Sequence, residues 1–254
     1  MGEPVRLDDD GVLHCVLSTA AGHCTLDMNA VEQATAGLLA GEARAALLVG
    51  DGPNFCSGGD VSAFAAADPP GPLVADMAAT LHAFVRAVTT SPAPVVAAVH
   101  GWAAGAGMSI ACAADVTLCG ASARFHPAYS EIGLSPDGGL TWTLPRLVGT
   151  ARARDLLLTN GVLDAGEAVR TGLVSRVVAD DEVRTEALAI ARMLAAGPRQ
   201  ALTRVKALLH DGAHRRLSEQ LDAEAASISG AADSPEGREG VRAFTERRRP
   251  RFPA

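Results

Sequence analysis

Two glycine-rich turns carry the residue types and spacing that could do chemistry in this sequence. One spans Phe55 to Val61 and the other His100 to Gly107, and each follows a predicted strand. Glycine permits positive φ and lets a ligand approach the backbone closely. The second turn leads into a predicted helix, Met108 to Ala114, and the first N–H groups of a helix have no partner within it. Such groups can hold an anionic oxygen.

Several common catalytic motifs are absent from the sequence. Neither turn matches GxGxxG with an acidic residue at dinucleotide spacing, and no GKS or GKT of a Walker loop occurs. There is also no GxSxG elbow and no HExxH. The five cysteines are scattered and show no CxxC spacing, so we expect reduced, buried thiols and not a disulfide or metal cluster.

Composition excludes some partners. A net charge of -7 argues against nonspecific binding to nucleic acid or to an anionic membrane, although one basic patch could still bind a phosphorylated ligand. Met1 to Asp10 is acidic and has no apolar segment typical of a signal peptide, so we expect a cytoplasmic protein. Val95 to Ala114 is long enough to span a membrane, but its glycines favour a buried strand, a turn and a small-residue helix.

Predicted strands alternate with predicted helices up to residue 180. Val12 to Leu17, Ala45 to Val49, Pro94 to Val99 and Val116 to Cys119 are short apolar runs that end in glycine or polar loops. This pattern predicts an α/β fold with parallel strands. After Asp181 the remaining segments have helical periodicity. The change near Gly197-Pro198 suggests a core at residues 1–196 and a helical segment at residues 197–254.

The order of these motifs resembles the crotonase (enoyl-CoA hydratase/isomerase) superfamily over nearly the whole chain. The matching segments are Asn54 to Asp60, Pro94 to Asp115, Leu144 to Gly149, Leu157 to Gly161, Glu167 to Val174 and Glu236 to Phe244. The resemblance implies a crotonase-type spiral of ββα units with a C-terminal helical segment that builds trimers, often paired into hexamers. It implies an acyl-CoA thioester as ligand, with no cofactor besides the coenzyme A of the substrate.

The resemblance also assigns site residues. The thioester oxygen would be held by the N–H groups of Gly59 and Ala106. The residues expected around the substrate are Ser57, Gly58, Asp60, Val61, Trp102, Gly105, Tyr129 and Trp142. Among these, Trp102, Tyr129 and Trp142 could form an apolar wall or simply pack in the core, and Tyr129 could orient the acyl group or Asp137.

The acid–base positions depart from the hydratase pattern. Family hydratases use two glutamates, and the matching positions here hold Ser109 and Tyr129. The loop from Phe125 to Gly139 instead resembles Δ3,Δ2-enoyl-CoA isomerases and the isomerases of phenylacetate degradation, whose catalytic carboxylate matches Asp137. One base can move a double bond by taking a proton from C2 and returning it at C4. The resemblance therefore favours isomerisation with Asp137 as proton shuttle.

Several alternatives remain open. Asp137 could be only a turn residue, Glu131 could be a shifted base, and a dehalogenase branch uses an aspartate of this loop as a nucleophile. The alternatives to isomerisation are hydration, hydrolysis or dehalogenation of an acyl-CoA, or noncatalytic binding of an acyl-CoA. The basic run Arg247 to Arg249 with Arg251 is either solvated or in contact with CoA phosphates.

Overall fold

The computed structural model describes residues 3–252, so residues 1–2 and 253–254 at the ends of the two predicted units lie outside it. Its strands are β1 (Val5–Leu7), β2 (Val12–Thr19), β3 (Ala45–Asp51), β4 (Val95–Val99), β5 (Trp102–Ala104), β6 (Val116–Gly120), β7 (Arg124–His126), β8 (Leu163–Asp164) and β9 (Arg176–Val178). One sheet has the order β1-β2-β3-β4-β6-β9, and all its neighbours except β1 and β2 are parallel. A second, smaller sheet has the order β5-β7-β8. The predicted α/β fold with mainly parallel strands is confirmed.

Helices cover both faces of the large sheet. They are α1 (Met28–Leu39), α2 (Val61–Ala66), α3 (Gly71–Thr90), α4 (Ala106–Ala113), α5 (Leu140–Val148), α6 (Thr150–Thr159), α7 (Ala165–Thr171), α8 (Val183–Ala195), α9 (Arg199–Gly212), α10 (Leu217–Ala232) and α11 (Pro235–Thr245). The central strands β3 and β4 are apolar runs because residues on both of their faces are buried. Alternate residues such as Leu47 and Val96 pack on the α8 side, whereas Leu48 and Val95 belong to the larger core on the opposite side.

The segment that is long enough to span a membrane forms β4, β5 and α4, as its glycines predicted. Within residues 3–252 no helix is both long and apolar enough to cross a membrane. The five cysteines, all in the described part of the chain, are free and buried.

The C-terminal helices dock onto the core through charged side chains. Lys206 on α9 is buried and donates to the carbonyl oxygens of Val88 and Ala93 at 2.6 and 2.9 Å, and its Nζ lies 2.8 Å from a carboxylate oxygen of Asp115. Within the C-terminal segment, Glu236 on α11 is also buried and accepts from the backbone N–H of Gln200 at the start of α9, which joins these two helices to each other. Only helices follow Val178 in the described residues, and the division at residue 197 remains a prediction.

Candidate functional site

A cavity of about 390 Å³ lies where the two glycine turns meet. Its polar side chains are few, since most of its wall is apolar. Helix α3 contributes residues that recur at helical spacing on one face, namely Val74, Ala75, Met77, Ala78 and Leu81. The cavity is therefore suited to a largely hydrocarbon ligand.

Backbone hydrogen bonds join the two glycine turns. The N–H of Cys56 donates to the Trp102 carbonyl at 3.1 Å, and the N–H of Ala104 donates to the Cys56 carbonyl at 2.9 Å. The first turn of α4 then packs directly on this pair, because a Cβ at Gly107 would lie 2.5 Å from the Cys56 carbonyl oxygen. Glycine at position 107 thus allows the start of α4 to approach the first turn.

Gly59 and Ala106 both line the cavity. Among residues 3–252, neither N–H group donates a hydrogen bond, and Ala106 is the first residue of α4. Gly58 of the first turn lies close to the second turn, since a Cβ built on it would be 3.7 Å from the Ala106 nitrogen. Two free donors beside a cavity, one of them at a helix N-terminus, can stabilise an oxyanion.

Asp137 is the only carboxylate among the described residues that line this cavity. Its Oδ1 accepts a hydrogen bond of 2.6 Å from the hydroxyl of Tyr129. Burial, and next the nearby Asp137 charge, raise the pKa of Tyr129, so its hydroxyl stays protonated as a donor.

Ser109, at one of the hydratase glutamate positions, is fully buried behind Asp137. Its Oγ lies 3.0 Å from the Asp137 carbonyl oxygen and 3.1 Å from the Tyr129 hydroxyl. The two positions that lack a glutamate therefore hold hydroxyl groups that contact Asp137.

Glu131 is directed elsewhere. It lies in the helical turn Ser130–Ile132, is exposed, and its Oε2 accepts from Nδ2 of Asn160 at 3.3 Å. It does not line the cavity. Glu131 is thus poorly placed to act as the shifted base considered from the sequence.

The structure gathers most of the expected substrate-binding residues but not all. Ser57, Gly58, Val61, Gly105 and Tyr129 line the cavity together with Gly59, Ala106 and Asp137. Asp60 instead caps α2, accepting from the N–H groups of Ser62 and Ala63.

Both tryptophans lie outside the cavity wall, which corrects the expectation of an aromatic wall. Trp102 is 41% exposed and contacts His126 edge-on. Trp142 packs against the guanidinium of Arg146, 3.8 Å from its ring centre, and beside His210 of α9. Neither ring therefore contributes to the wall of the cavity.

Sequence reasoning missed other residues near the site. The apolar wall also includes Leu26, Met28, Phe64, Ile132 and Leu134 and the α3 residues. His82, on the same helix, was missed as well, and its Nε2 accepts the N–H of Gly138 at 3.2 Å. His82 follows Ala78 by four residues on α3, but no pattern in the sequence indicates its contact with Gly138, which lies 56 residues further along the chain.

The basic tail is partly occupied by internal contacts. The guanidinium of Arg248 donates hydrogen bonds to the carboxylates of Glu239 and Glu246. The backbone N–H of Arg251 also donates to Glu239, at 2.8 Å. The hydrogen bond from Arg248 is the main reason that the pKa of Glu239 falls to about 2. Arg248 is thus held against α11 and does not project freely.

Comparison with known proteins places this geometry in a family. The family model described as enoyl-CoA hydratase/isomerase matches residues 28–254. A probable enoyl-CoA hydratase of Rhodobacter capsulatus is 42% identical over 84% of this chain and 82% of its own, and the 1,2-epoxyphenylacetyl-CoA isomerase of Escherichia coli is 38% identical over 82% and 80%. The solved structure of an enoyl-CoA hydratase from Polaromonas sp. JS666 superimposes with a TM-score of 0.91 at 32% identity, covering 98% of this chain and 99% of that one.

Proposed function

Because the chain belongs to the enoyl-CoA hydratase/isomerase family, we propose that it isomerises the double bond of an enoyl-CoA thioester with Asp137 as proton shuttle. The observation that carries this proposal is the single carboxylate in an apolar cavity, held by Tyr129 on one oxygen and placed in the same cavity as two free N–H donors. The sequence resembled the crotonase superfamily. That resemblance is confirmed, because the chain matches the family model and several of the family's members.

The proposed reaction moves one proton. Asp137 Oδ2 takes a proton from C2 of a 3-enoyl thioester, and the electron pair of the broken C–H bond forms the enolate. The N–H groups of Gly59 and Ala106 stabilise the enolate oxygen, and one such donor is worth about 2.7–4 kcal/mol. The protonated Asp137 then returns the proton to C4, which gives the 2-enoyl thioester. This chemistry needs no metal or redox cofactor, because a carboxylate alone carries the proton.

Hydration is the main rival function, since more of the relatives are named hydratases than isomerases. Addition of water requires one group to activate the water and another to manage the proton at C2. Family hydratases carry glutamates at the positions that Ser109 and Tyr129 occupy here. Asp137 therefore has no second carboxylate from these positions to share the reaction with. This difference supports isomerisation over hydration.

A panel of CoA thioesters tests the proposal. The purified protein is incubated with 3-enoyl-, 2-enoyl- and aryl-CoA substrates, and products are identified by mass and absorbance. We expect a 2-enoyl product of unchanged mass from the 3-enoyl substrate. A product heavier by one water, or turnover only of a halogenated aryl-CoA, would instead assign hydration or dehalogenation, and no turnover with retained binding would assign a binding protein.

Replacement of the base gives the matched test. Asp137→Asn is nearly isosteric and keeps an oxygen for the Tyr129 hydroxyl, so acyl-CoA affinity should stay within about tenfold, or 1.4 kcal/mol. The turnover number should fall by at least about 10²-fold, the lower end for a general base. Glu131→Gln is the control and should keep full activity. The reverse pattern would move the base to Glu131.

We also propose that the protein assembles into a trimer or a hexamer formed from two trimers. Helices α10 and α11 carry large apolar side chains that are more than half exposed in the single chain, namely Leu217, Leu221, Ile228, Val241 and Phe244. Burying such side chains against another subunit would be favourable. Light scattering at micromolar concentration tests this, and the mass of a monomer would contradict it.

A further inference from the structure

The peptide that joins Asp137 to Gly138 is held by a side chain at each end. Its N–H donates to Nε2 of His82 on α3 at 3.2 Å, and its carbonyl oxygen lies 3.0 Å from the hydroxyl oxygen of Ser109 on α4. A peptide unit is planar and rigid. Two helices that hold its N–H and its C=O therefore fix the direction of the whole unit.

The turn around this peptide leaves little room for another arrangement. Gly138 has φ of +59°, in the left-handed region, and a Cβ on it would lie 2.7 Å from Cβ of Ser109 and 3.1 Å from Cδ2 of Leu81. The backbone is thus wedged between the two helices that hold it. Small shifts of the peptide would tilt the Cα–Cβ bond of Asp137 and move its carboxylate.

His82 does not touch the cavity itself. It is half-buried, and it is not among the described residues that line the space beside Asp137. Because Nε2 accepts a hydrogen bond from Gly138, that nitrogen carries no proton. Its contact with the site is through the backbone.

We propose that His82 and Ser109 are positioning residues that clamp the Asp137–Gly138 peptide and thereby aim the Asp137 carboxylate at the ligand. The inference rests on the proposed role of Asp137 as the base. Ser109 stands three residues after Ala106 on the same helix, so the clamp also sets the position of Asp137 relative to an oxyanion donor. Ser109 occupies a position where family hydratases carry a glutamate, and its hydroxyl would hold the Asp137 carbonyl oxygen instead.

The test compares two replacements of His82 in the full-length protein with a 3-enoyl-CoA substrate. His82→Leu removes the acceptor, whereas His82→Gln places an amide oxygen near the position of Nε2. A misplacement of about 1 Å can cost about 10²-fold in rate, so we expect His82→Leu to lower kcat by roughly ten- to 100-fold. KM should change by less than about threefold, because His82 does not line the cavity. His82→Gln should recover most of the lost kcat.

Ser109→Ala tests the other end of the peptide and should lower kcat with little change in KM, as His82→Leu does. Unchanged kcat in both variants would overturn the clamp. Equal loss in His82→Gln and His82→Leu would also overturn it, because restoring a hydrogen-bond acceptor near Nε2 would then not restore the position of the peptide.

Hydrogen exchange of the Gly138 amide provides a readout that needs no activity. Its protection should fall in His82→Leu, return in His82→Gln, and stay unchanged in Asp137→Asn. Unchanged protection in His82→Leu would refute the clamp whatever the kinetics show. Full activity of Asp137→Asn would refute the proposed function instead, so the two failures are distinguishable.

Discussion

The hydroxyl of Tyr129 donates a hydrogen bond of 2.6 Å to one carboxylate oxygen of Asp137, eight residues further along the same loop. A carboxylate that is bonded at Oδ1 has its other oxygen available for a ligand. The bond is short for two oxygen atoms, as is usual when the acceptor is charged. The loop therefore supplies both the proposed base and the hydroxyl group that holds one of its oxygens.

Tyr129 is the only tyrosine in the sequence, so its ionisation can be followed by phenolate absorbance. Burial, followed by the Asp137 charge, raises its pKa, and the unfolded chain should ionise at a pKa of about 10. We therefore expect a weaker phenolate signal from the folded protein than from the denatured protein at pH 11.

The same shift makes stability depend on pH. A raised pKa in the folded state means that the contribution of Tyr129 to stability is complete below pH of about 10 and is lost as the pH rises further. Urea unfolding between pH 8 and 11 should show this decline, and Tyr129→Phe should reduce it. A phenolate titration of the folded protein that coincides with the titration in denaturant would contradict both the raised pKa and this decline.

Hydration of crotonyl-CoA should be slow. Each general acid or base group contributes typically about 10²–10⁴-fold, and neither Ser109 nor Tyr129 can replace a glutamate in this role. We expect a turnover number far below about 10³ s⁻¹, measured by the loss of enoyl absorbance. Hydration at that rate or faster would show that other groups activate water.

Gly138→Ala should disturb both stability and activity. The new Cβ would meet Ser109 at 2.7 Å in a left-handed backbone conformation. Gly133→Ala is a matched control, because Gly133 is also left-handed at φ of +74° but has open space around its Cβ position.

Left-handed strain costs about 1–2 kcal/mol in both variants, and overpacking adds about 1–3 kcal/mol at Gly138 alone. Urea unfolding measures the difference. If both variants lose the same stability, the turn around Asp137 is looser than its geometry indicates.

Lys206→Met should destabilise the docking of α9 on the core. Burial lowers the pKa of Lys206 and raises that of Asp115, so each charge depends on its partner to remain ionised. Breaking a buried pair costs about 3–5 kcal/mol, and we expect about 3 because 29% of the Asp115 side chain is exposed. Thermal or urea unfolding measures this loss.

The matched control is Arg192→Met. Arg192 pairs with Asp10 at 3.0 Å, but both side chains are more than half exposed. Exposed pairs contribute about 0–1 kcal/mol, so this variant should unfold almost as the parent does. Similar losses in the two variants would mean that burial of Lys206 is not what stabilises the docking.

The central elements could be predicted because their patterns are strong. Apolar runs such as Val95 to Val99 became buried strands. The helices α5 and α6 were missed, since Gly139 and Gly149 precede them and neither offers a capping side chain. The short strands of the second sheet have two or three residues, too few for a periodicity to be recognised.

The candidate site was predicted unevenly. Motif matches identified Gly59, Ala106 and Asp137, which share one cavity in the structure. Trp102 and Trp142 were expected around the substrate from the resemblance, yet neither lines the cavity, because the direction of a side chain depends on tertiary packing. His82 is distant in sequence from the loop it contacts, so nothing local in the sequence pointed to that contact.

All eight residues of α4 are buried, from Ala106 to Ala113. A helix enclosed on every side has no surface on which substitutions accumulate harmlessly, and a change of one methylene is felt by its neighbours. Directed evolution toward a new acyl group should therefore leave α4 nearly invariant. The successful variants should instead cluster on α3 and the loop near Leu134, where the same cavity is bounded by side chains that can change size without moving the N–H group of Ala106.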